Sequence, residues 1–155
     1  MALNETHASP KALGKFHHFL KEHHCRLTPE RDLVLCKALE WNKHFSIDEL
    51  CQALNESGTM VSRATVYNTV ELLCEAQILR RIHVDLRRVR YERLEKTNFI
   101  HLVCNECGKI KEVRDNDLNA HMNARSFTAF HSSYFTICVY GICNTCARKK
   151  KKSHK

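Results

Sequence analysis

Residues 62–93 read SRATVYNTVELLCEAQILRRIHVDLRRVRYER, and a change of period inside this stretch decides the fold. Ser62 is placed to cap a helix in which Val66, Val70 and Leu73 line one face at helical spacing. The period then changes. Ile82-His83-Val84 and Val89-Arg90-Tyr91 alternate around a polar break at 85–88, which predicts a β-hairpin.

Three more helices are predicted upstream. Ser9-Pro10 and Thr28-Pro29 each pair an N-cap with proline at the first helical position. The first of these helices runs through Phe16, Phe19 and Leu20, and the second carries Leu33, Cys36 and Leu39. Ser46 with Glu49 three residues on forms a capping box for the third, which carries Ile47, Leu50, Cys51 and Leu54. Helix-turn-helix followed by a hairpin is the layout of a winged-helix DNA-binding domain. Once Val66, Val70 and Leu73 turn inward, Ser62, Arg63, Thr65, Tyr67 and Asn68 are the polar positions of the fourth helix. The hairpin and its approach hold six arginines (Arg80, Arg81, Arg87, Arg88, Arg90, Arg93), for which phosphate contact is the expectation.

Downstream the pattern is strand (100–104), strand (110–113), helix from Asp115 to about Arg125, and a long strand around 134–140. The expected architecture is therefore α/β in two domains: a winged helix-turn-helix over 1–94 and a smaller α/β domain over 95–147. Residues 148–155 are expected to be a basic, disordered tail. Charge follows this division. Residues 1–94 carry 14 basic and 12 acidic side chains, residues 95–147 carry five of each, and the last eight carry six basic and none acidic. The pI of about 9.1 thus reflects the tail, which either stays solvated or attracts phosphate.

With 43% hydrophobic residues, the 155-residue chain has the material for a core. No 18-residue apolar run marks a membrane span, and the first fifteen residues hold no apolar signal region, so a cytoplasmic location is expected. Nine cysteines in a reducing compartment point to metal ligation or buried thiols. Cys104-x-x-Cys107 and Cys143-x-x-Cys146 let four thiolates converge on one ion. An iron–sulfur centre or redox disulfides would also use cysteines, but the spacing favours closed, structural zinc without catalysis. Gly108 and Gly141 flank the knuckles where turns need permissive backbone. Cys36 and Cys51, on apolar helical faces, read as buried core. Cys25, Cys74 and Cys138 receive no role.

Several stretches together resemble the ferric uptake regulator family. They are Arg26-Leu27-Thr28-Pro29-Glu30-Arg31, His44-Phe45-Ser46-Ile47-Asp48-Glu49-Leu50, Ala64-Thr65-Val66-Tyr67-Asn68-Thr69-Val70, Arg90-Tyr91-Glu92, His101-Leu102-Val103-Cys104 through Cys107-Gly108-Lys109-Ile110, and Tyr140-Gly141-Ile142-Cys143. The match runs in order from about residue 23 to 146. The resemblance implies a dimeric, metal-dependent transcriptional repressor, not an enzyme, whose second domain dimerises. It implies structural zinc on Cys104, Cys107, Cys143 and Cys146, and a regulatory ion on His44, Glu92, His101 and Glu112. Two imidazoles and two carboxylates suit Fe²⁺ or Mn²⁺ and also accept Zn²⁺. It further implies that Tyr67 touches thymine in the major groove, with Ser62, Arg63 and Thr65 near bases or backbone. Asn68 is suited to pair with adenine, and Arg26 to enter a narrow, A·T-rich minor groove. The implied partner is an A·T-rich, pseudo-palindromic duplex bound by a homodimer, with no membrane involved.

The chain departs from the family pattern at Phe99, where a further histidine is frequent. A third metal site of some members would need ligands where Asn98, Ile100, Asn119 and Phe135 stand, so that site is expected to be absent. Glu92 stands where peroxide sensors use Asp, whereas Asn68 is similar to those sensors and replaces the arginine usual in iron regulators. A peroxide- or haem-responsive regulator on the same fold thus stays open, the haem reading on eleven histidines that include His17-His18 and His23-His24. A metal-dependent hydrolase using His44, Glu92, His101 and Glu112 lacks an obvious general base or substrate-binding loop.

Overall fold

The computed structural model of the protein describes residues 10–84, 88–94 and 99–153. The chain divides into two compact units, Met1–Leu94 and Glu95–Lys155. The expected cap Ser9, the tip of the hairpin at 85–87 and the junction at 95–98 lie outside the described residues.

The first unit is helical, then β: α1 (Pro10–Glu22), α2 (Pro29–Glu40), α3 (Ile47–Glu56), α4 (Arg63–Glu75), β1 (Leu79–His83) and β2 (Val89–Arg93). Each cap foreseen at the described positions is made. Thr28 caps α2 by accepting from the Arg31 N–H, and Ser62 caps α4 by accepting from the Thr65 N–H at 3.1 Å. Ser46 and Glu49 form a full capping box on α3, with reciprocal bonds of 3.2 and 2.7 Å. Removing the hydroxyl in Ser46→Ala is expected to cost about 1 kcal/mol. Urea unfolding followed by the fluorescence of Trp41, the chain's single tryptophan and a residue packed on this unit's core, measures that cost.

The helices converge because their apolar stripes do. Phe16 and Leu20 of α1, Val34 and Leu35 of α2, Leu50 and Leu54 of α3, and Val66, Val70 and Leu73 of α4 bury into one cluster with Phe45, Leu79 and Tyr91. Cys36 and Cys51, expected inside, are only partly buried, because each lies at the border of its helix's apolar stripe. β1 and β2 pair antiparallel, with Arg80 opposite Glu92 and Arg81 opposite Tyr91. Phe45 adds one rung: its N–H and C=O exchange bonds of 2.8 Å with Tyr91. This rung fixes His44 beside the hairpin although 46 residues separate it from Arg90.

The second unit holds β3 (Ile100–Cys104), β4 (Ile110–Val113), α5 (Asn116–Asn123), β5 (Ile137–Gly141) and α6 (Asn144–Ser153). Its sheet has the order β4-β3-β5, with β4 antiparallel and β5 parallel to β3. Asp115 caps α5 by accepting from the Leu118 N–H at 2.9 Å. The long strand expected around 134–140 is shorter and lies later, at Ile137–Gly141. The lysine-rich segment departs most from expectation. Residues 148–153, read as part of a disordered tail, continue a helix that starts directly after Cys143.

Candidate functional site

The four-cysteine centre is built by two strand ends. Cys104 is the last residue of β3, and the turn that follows returns through Gly108, whose φ of +70° lies in the left-handed region that glycine tolerates. That turn is closed by the Gly108 N–H on the Cys104 C=O and the Cys104 N–H on the Lys109 C=O, both 2.9 Å. Gly141 has no such role: it ends β5, and a Cβ there would meet open space. Parallel pairing of β3 with β5 sets Cys104 opposite Gly141, and the Asn105 N–H bonds the Gly141 C=O at 2.8 Å. Register alone therefore delivers the second knuckle to the first.

One ligand atom from each of Cys104, Cys107, Cys143 and Cys146 lies within 4.8 Å of all the others. The Cys107 and Cys143 sulfurs are 3.9 Å apart. In a tetrahedral zinc site with Zn–S of ~2.3 Å, sulfurs sit about 3.8 Å from one another, so the set fits zinc. The thiols are electrostatically split. Backbone N–H groups of Cys107 and Cys143 hold Cys104 down to about 6, and those of Cys146 draw Cys143 down as well. The Cys143 and Cys107 thiols, by contrast, push Cys146 up to about 12. Four thiols this close ionise together only when a cation shares them. A zinc ion there would tie β3 to the start of α6 and perform no chemistry.

In the first unit, α4 presents Ser62, Arg63, Tyr67 and Asn68 to solvent, with Tyr67 51% exposed, while Val66, Thr69 and Val70 turn inward. Thr65 is partly buried, and its hydroxyl bonds that of Ser62 at 2.8 Å. Arg63 pairs with Asp48 of α3. Arg26 lies exposed just before α2, its carbonyl accepting from the Arg31 guanidinium.

The four residues expected around a regulatory ion fall two in each unit. In the first unit, His44 is half-buried, and the Arg90 Nε donates to its Nδ1 at 2.6 Å. Burial, with Arg90 second, lowers its pKa, so the ring is neutral at pH 7. Arg90 also reaches the Glu49 carboxylate at 2.7 Å. Burial alone would raise that carboxyl, but the Ser46 N–H and Arg90 outweigh it and hold it low. Glu92 is buried and accepts from the Arg80 Nε at 2.5 Å. In the second unit, His101 and Glu112 stand directly opposite each other on β3 and β4, the histidine fully buried and the glutamate partly so.

Of the hairpin arginines, four make contacts within the unit, while Arg88 is exposed and Arg87 lies outside the described residues. Arg80 and Arg90 pair as just described, Arg81 with Glu71, and Arg93 donates to the Leu39 C=O at 3.3 Å. Strand alternation explains this, since Arg80 falls on the inward side of β1, across from the inward Glu92. The sequence reading missed both Arg80 and Arg90 as partners of the expected ligands. The signal was present in the two-residue period, which places Arg80 and Ile82 on the same face.

A winged-helix unit joined to an α/β unit closed by a four-thiol, zinc-shaped centre defines a two-domain metalloregulator architecture. The model of the ferric uptake regulator family matches residues 22–137, and the chain belongs to that family. It is 28% identical over 131 residues to the peroxide-responsive repressor PerR of Staphylococcus aureus, covering 84% of this chain and 88% of that one. Its fold is similar to that of the ferric uptake regulator from Pseudomonas aeruginosa solved with manganese (TM-score 0.69, 21% identity, 83% of this chain and 97% of that one). It is also similar to a zinc uptake regulator solved with zinc and DNA (TM-score 0.53, 20% identity, 94% and 99%). At these identities the two structures speak to the fold alone.

Proposed function

We propose that the chain is a metal-responsive transcriptional repressor that binds A·T-rich, pseudo-palindromic DNA as a homodimer. The observation that carries this reading is the joining, in one member of this family, of an exposed, Ser62-capped helix in a winged unit to a metal-binding unit. Tyr67, Asn68, Ser62, Arg63 and Thr65 lie on the solvent side of that helix or at its border, where a major groove would meet them, and Arg26 supplies the minor-groove cation. The homodimer is supported by β5. It is an edge strand with Val139 and Tyr140 each 51% exposed, and Phe130, Tyr134 and Ile142 of the same unit are also exposed.

The regulatory ion of this reading is held by His44, Glu92, His101 and Glu112. Iron is the expected metal, since carboxylates and imidazoles suit Fe²⁺, with Mn²⁺ and Zn²⁺ as competitors. Two of these four residues lie in each unit. The protein's own cations oppose the ion. With Arg90 donating to Nδ1, the neutral His44 ring carries its proton on Nε2, so either nitrogen becomes a ligand only when that hydrogen bond is given up.

Fluorescence anisotropy tests the reading. Zinc-loaded protein freed of other metal is titrated anaerobically onto an A·T-rich palindromic duplex, with Fe²⁺, Mn²⁺ or Zn²⁺ added. Tighter binding with Fe²⁺, lost in His101→Ala, is the expected result; equal binding with and without metal overturns it. In the same assay Tyr67→Ala is expected to flatten the preference for the palindrome over a scrambled duplex. The similarity to a peroxide-responsive repressor supports a second reading, in which hydrogen peroxide releases the Fe²⁺-loaded protein from DNA. Release by peroxide with Fe²⁺ but not with Mn²⁺ distinguishes it.

A further inference from the structure

The second knuckle of the four-cysteine centre opens a helix. Cys143 directly precedes α6 and Cys146 lies in its first turn, where the Ala147 N–H bonds the Cys143 C=O at 2.9 Å. From Arg148 to Lys152 every residue is cationic and exposed. Successive helical residues turn by about 100°, so these five side chains circle the whole helix and leave it no apolar face to bury.

Such a helix does not hold itself. Arg148 with Lys151 and Lys152, and Lys149 with Lys152, are like charges at the three- and four-residue spacings where neighbours repel. Ten residues are also fewer than an isolated helix needs in water. Two anchors that support its order lie at the metal centre. One is the cysteine turn itself. The other is Lys150, whose Nζ lies 2.7 Å from Glu106, a residue between the two cysteines of the first knuckle. A zinc tetrathiolate carries a net charge of about −2. It would sit at the positive end of the helix dipole, with the lysines at the negative end, which is the favourable arrangement of both.

We propose that α6 is a zinc-anchored cationic helix that contacts the phosphate backbone of duplex DNA, so that the four-cysteine centre governs sequence-independent affinity as well as the fold of its unit. The proposal rests on the DNA-binding reading above and adds to it a contact that reads no bases. Charge presented on all sides suits a line of phosphates, which a cation meets from any rotation of the helix.

The test uses the full-length, zinc-loaded protein and the variant Lys149→Gln/Lys151→Gln/Lys152→Gln, which keeps Lys150 and its anchor. Anisotropy is measured on the A·T-rich palindrome and on a scrambled duplex over a sodium chloride series. Both duplexes are expected to bind about tenfold more weakly, with their ratio preserved. The slope of log affinity against log salt should fall by about 2 to 3 for each protomer whose helix meets the duplex, near 0.9 for each phosphate that the variant leaves unneutralised. Unchanged affinity and slope overturn the proposal. A wild-type protein that prefers neither duplex, yet loses affinity for both in the variant, sinks the operator reading and leaves this one standing. Tighter binding of the wild type to phosphatidylserine vesicles than to scrambled duplex overturns DNA as the occupant. The anchoring is tested separately by Glu106→Gln with zinc content verified. Amide exchange is expected to quicken at least tenfold over 147–152 while protection of β3 is kept, and unchanged exchange in α6 overturns the coupling.

Discussion

Replacing Cys146 with serine is expected to unfold the second unit and leave the first folded. Among the described residues, Ile100, Val103 and Cys104 are the only buried apolar residues of the second unit, whereas the first buries Phe16, Leu20, Phe45, Leu50, Leu73 and many more. A unit with so little core needs another source of stability, and small domains obtain it from metals or from association. Structural zinc contributes about 10–16 kcal/mol in isolated zinc-binding peptides, comparable to the whole stability of an ordinary domain. Cys146→Ser, or chelation of the wild type, is thus expected to abolish amide protection of β3, β4 and β5. The urea transition of Trp41 fluorescence should stay where it was, because Trp41 packs at 5.2 Å against Phe45 within the first unit. Persistent protection of β3 in zinc-free protein would show that the sheet stands without the ion.

The second large effect is expected at Arg80. Its side chain is 1% exposed and that of its partner Glu92 8%, so the pair is removed from water. Truncating one member, as in Arg80→Met, leaves a buried carboxylate without its cation and is expected to cost about 3–5 kcal/mol, read from the Trp41 urea midpoint at pH 7. The double variant Arg80→Met/Glu92→Leu removes both charges and is expected to recover most of that loss. It also separates structure from regulation, because a stable double variant that no longer responds to Fe²⁺ supports Glu92 as a ligand. A double variant as unstable as Arg80→Met alone would mean that the guanidinium acts through other contacts.

The local signals of the sequence translate directly into structure. Thr28, Ser46, Ser62 and Asp115 cap the helices they precede, because capping depends on side chains three residues apart and on nothing distant. The paired knuckles were equally legible, since two C-x-x-C turns constrain four sulfurs wherever the strands run. What distance decides was not legible. Counting arginines gives no hint that Phe45 pairs with Tyr91 and brings Glu49 and His44 to Arg90, an arrangement that no local pattern encodes. The lysine run was misread for a related reason. Composition says that Arg148–Lys152 repel one another, whereas the helix is ordered by a cysteine turn and a glutamate more than forty residues upstream.

β5 has a consequence for how the protein is made. The strand Ile-Cys-Val-Tyr-Gly carries no charge and no proline, the devices by which edge strands are normally kept from recruiting foreign chains. Were that edge to serve as the dimer interface proposed above, two fates would compete for it in newly synthesised molecules: pairing with the right neighbour, or growth into an aggregate. The balance shifts with the speed of synthesis and with temperature, so overexpression of this chain alone is expected to favour inclusion bodies. A lysine at Val139, on the exposed part of that edge, would then trade assembly for solubility.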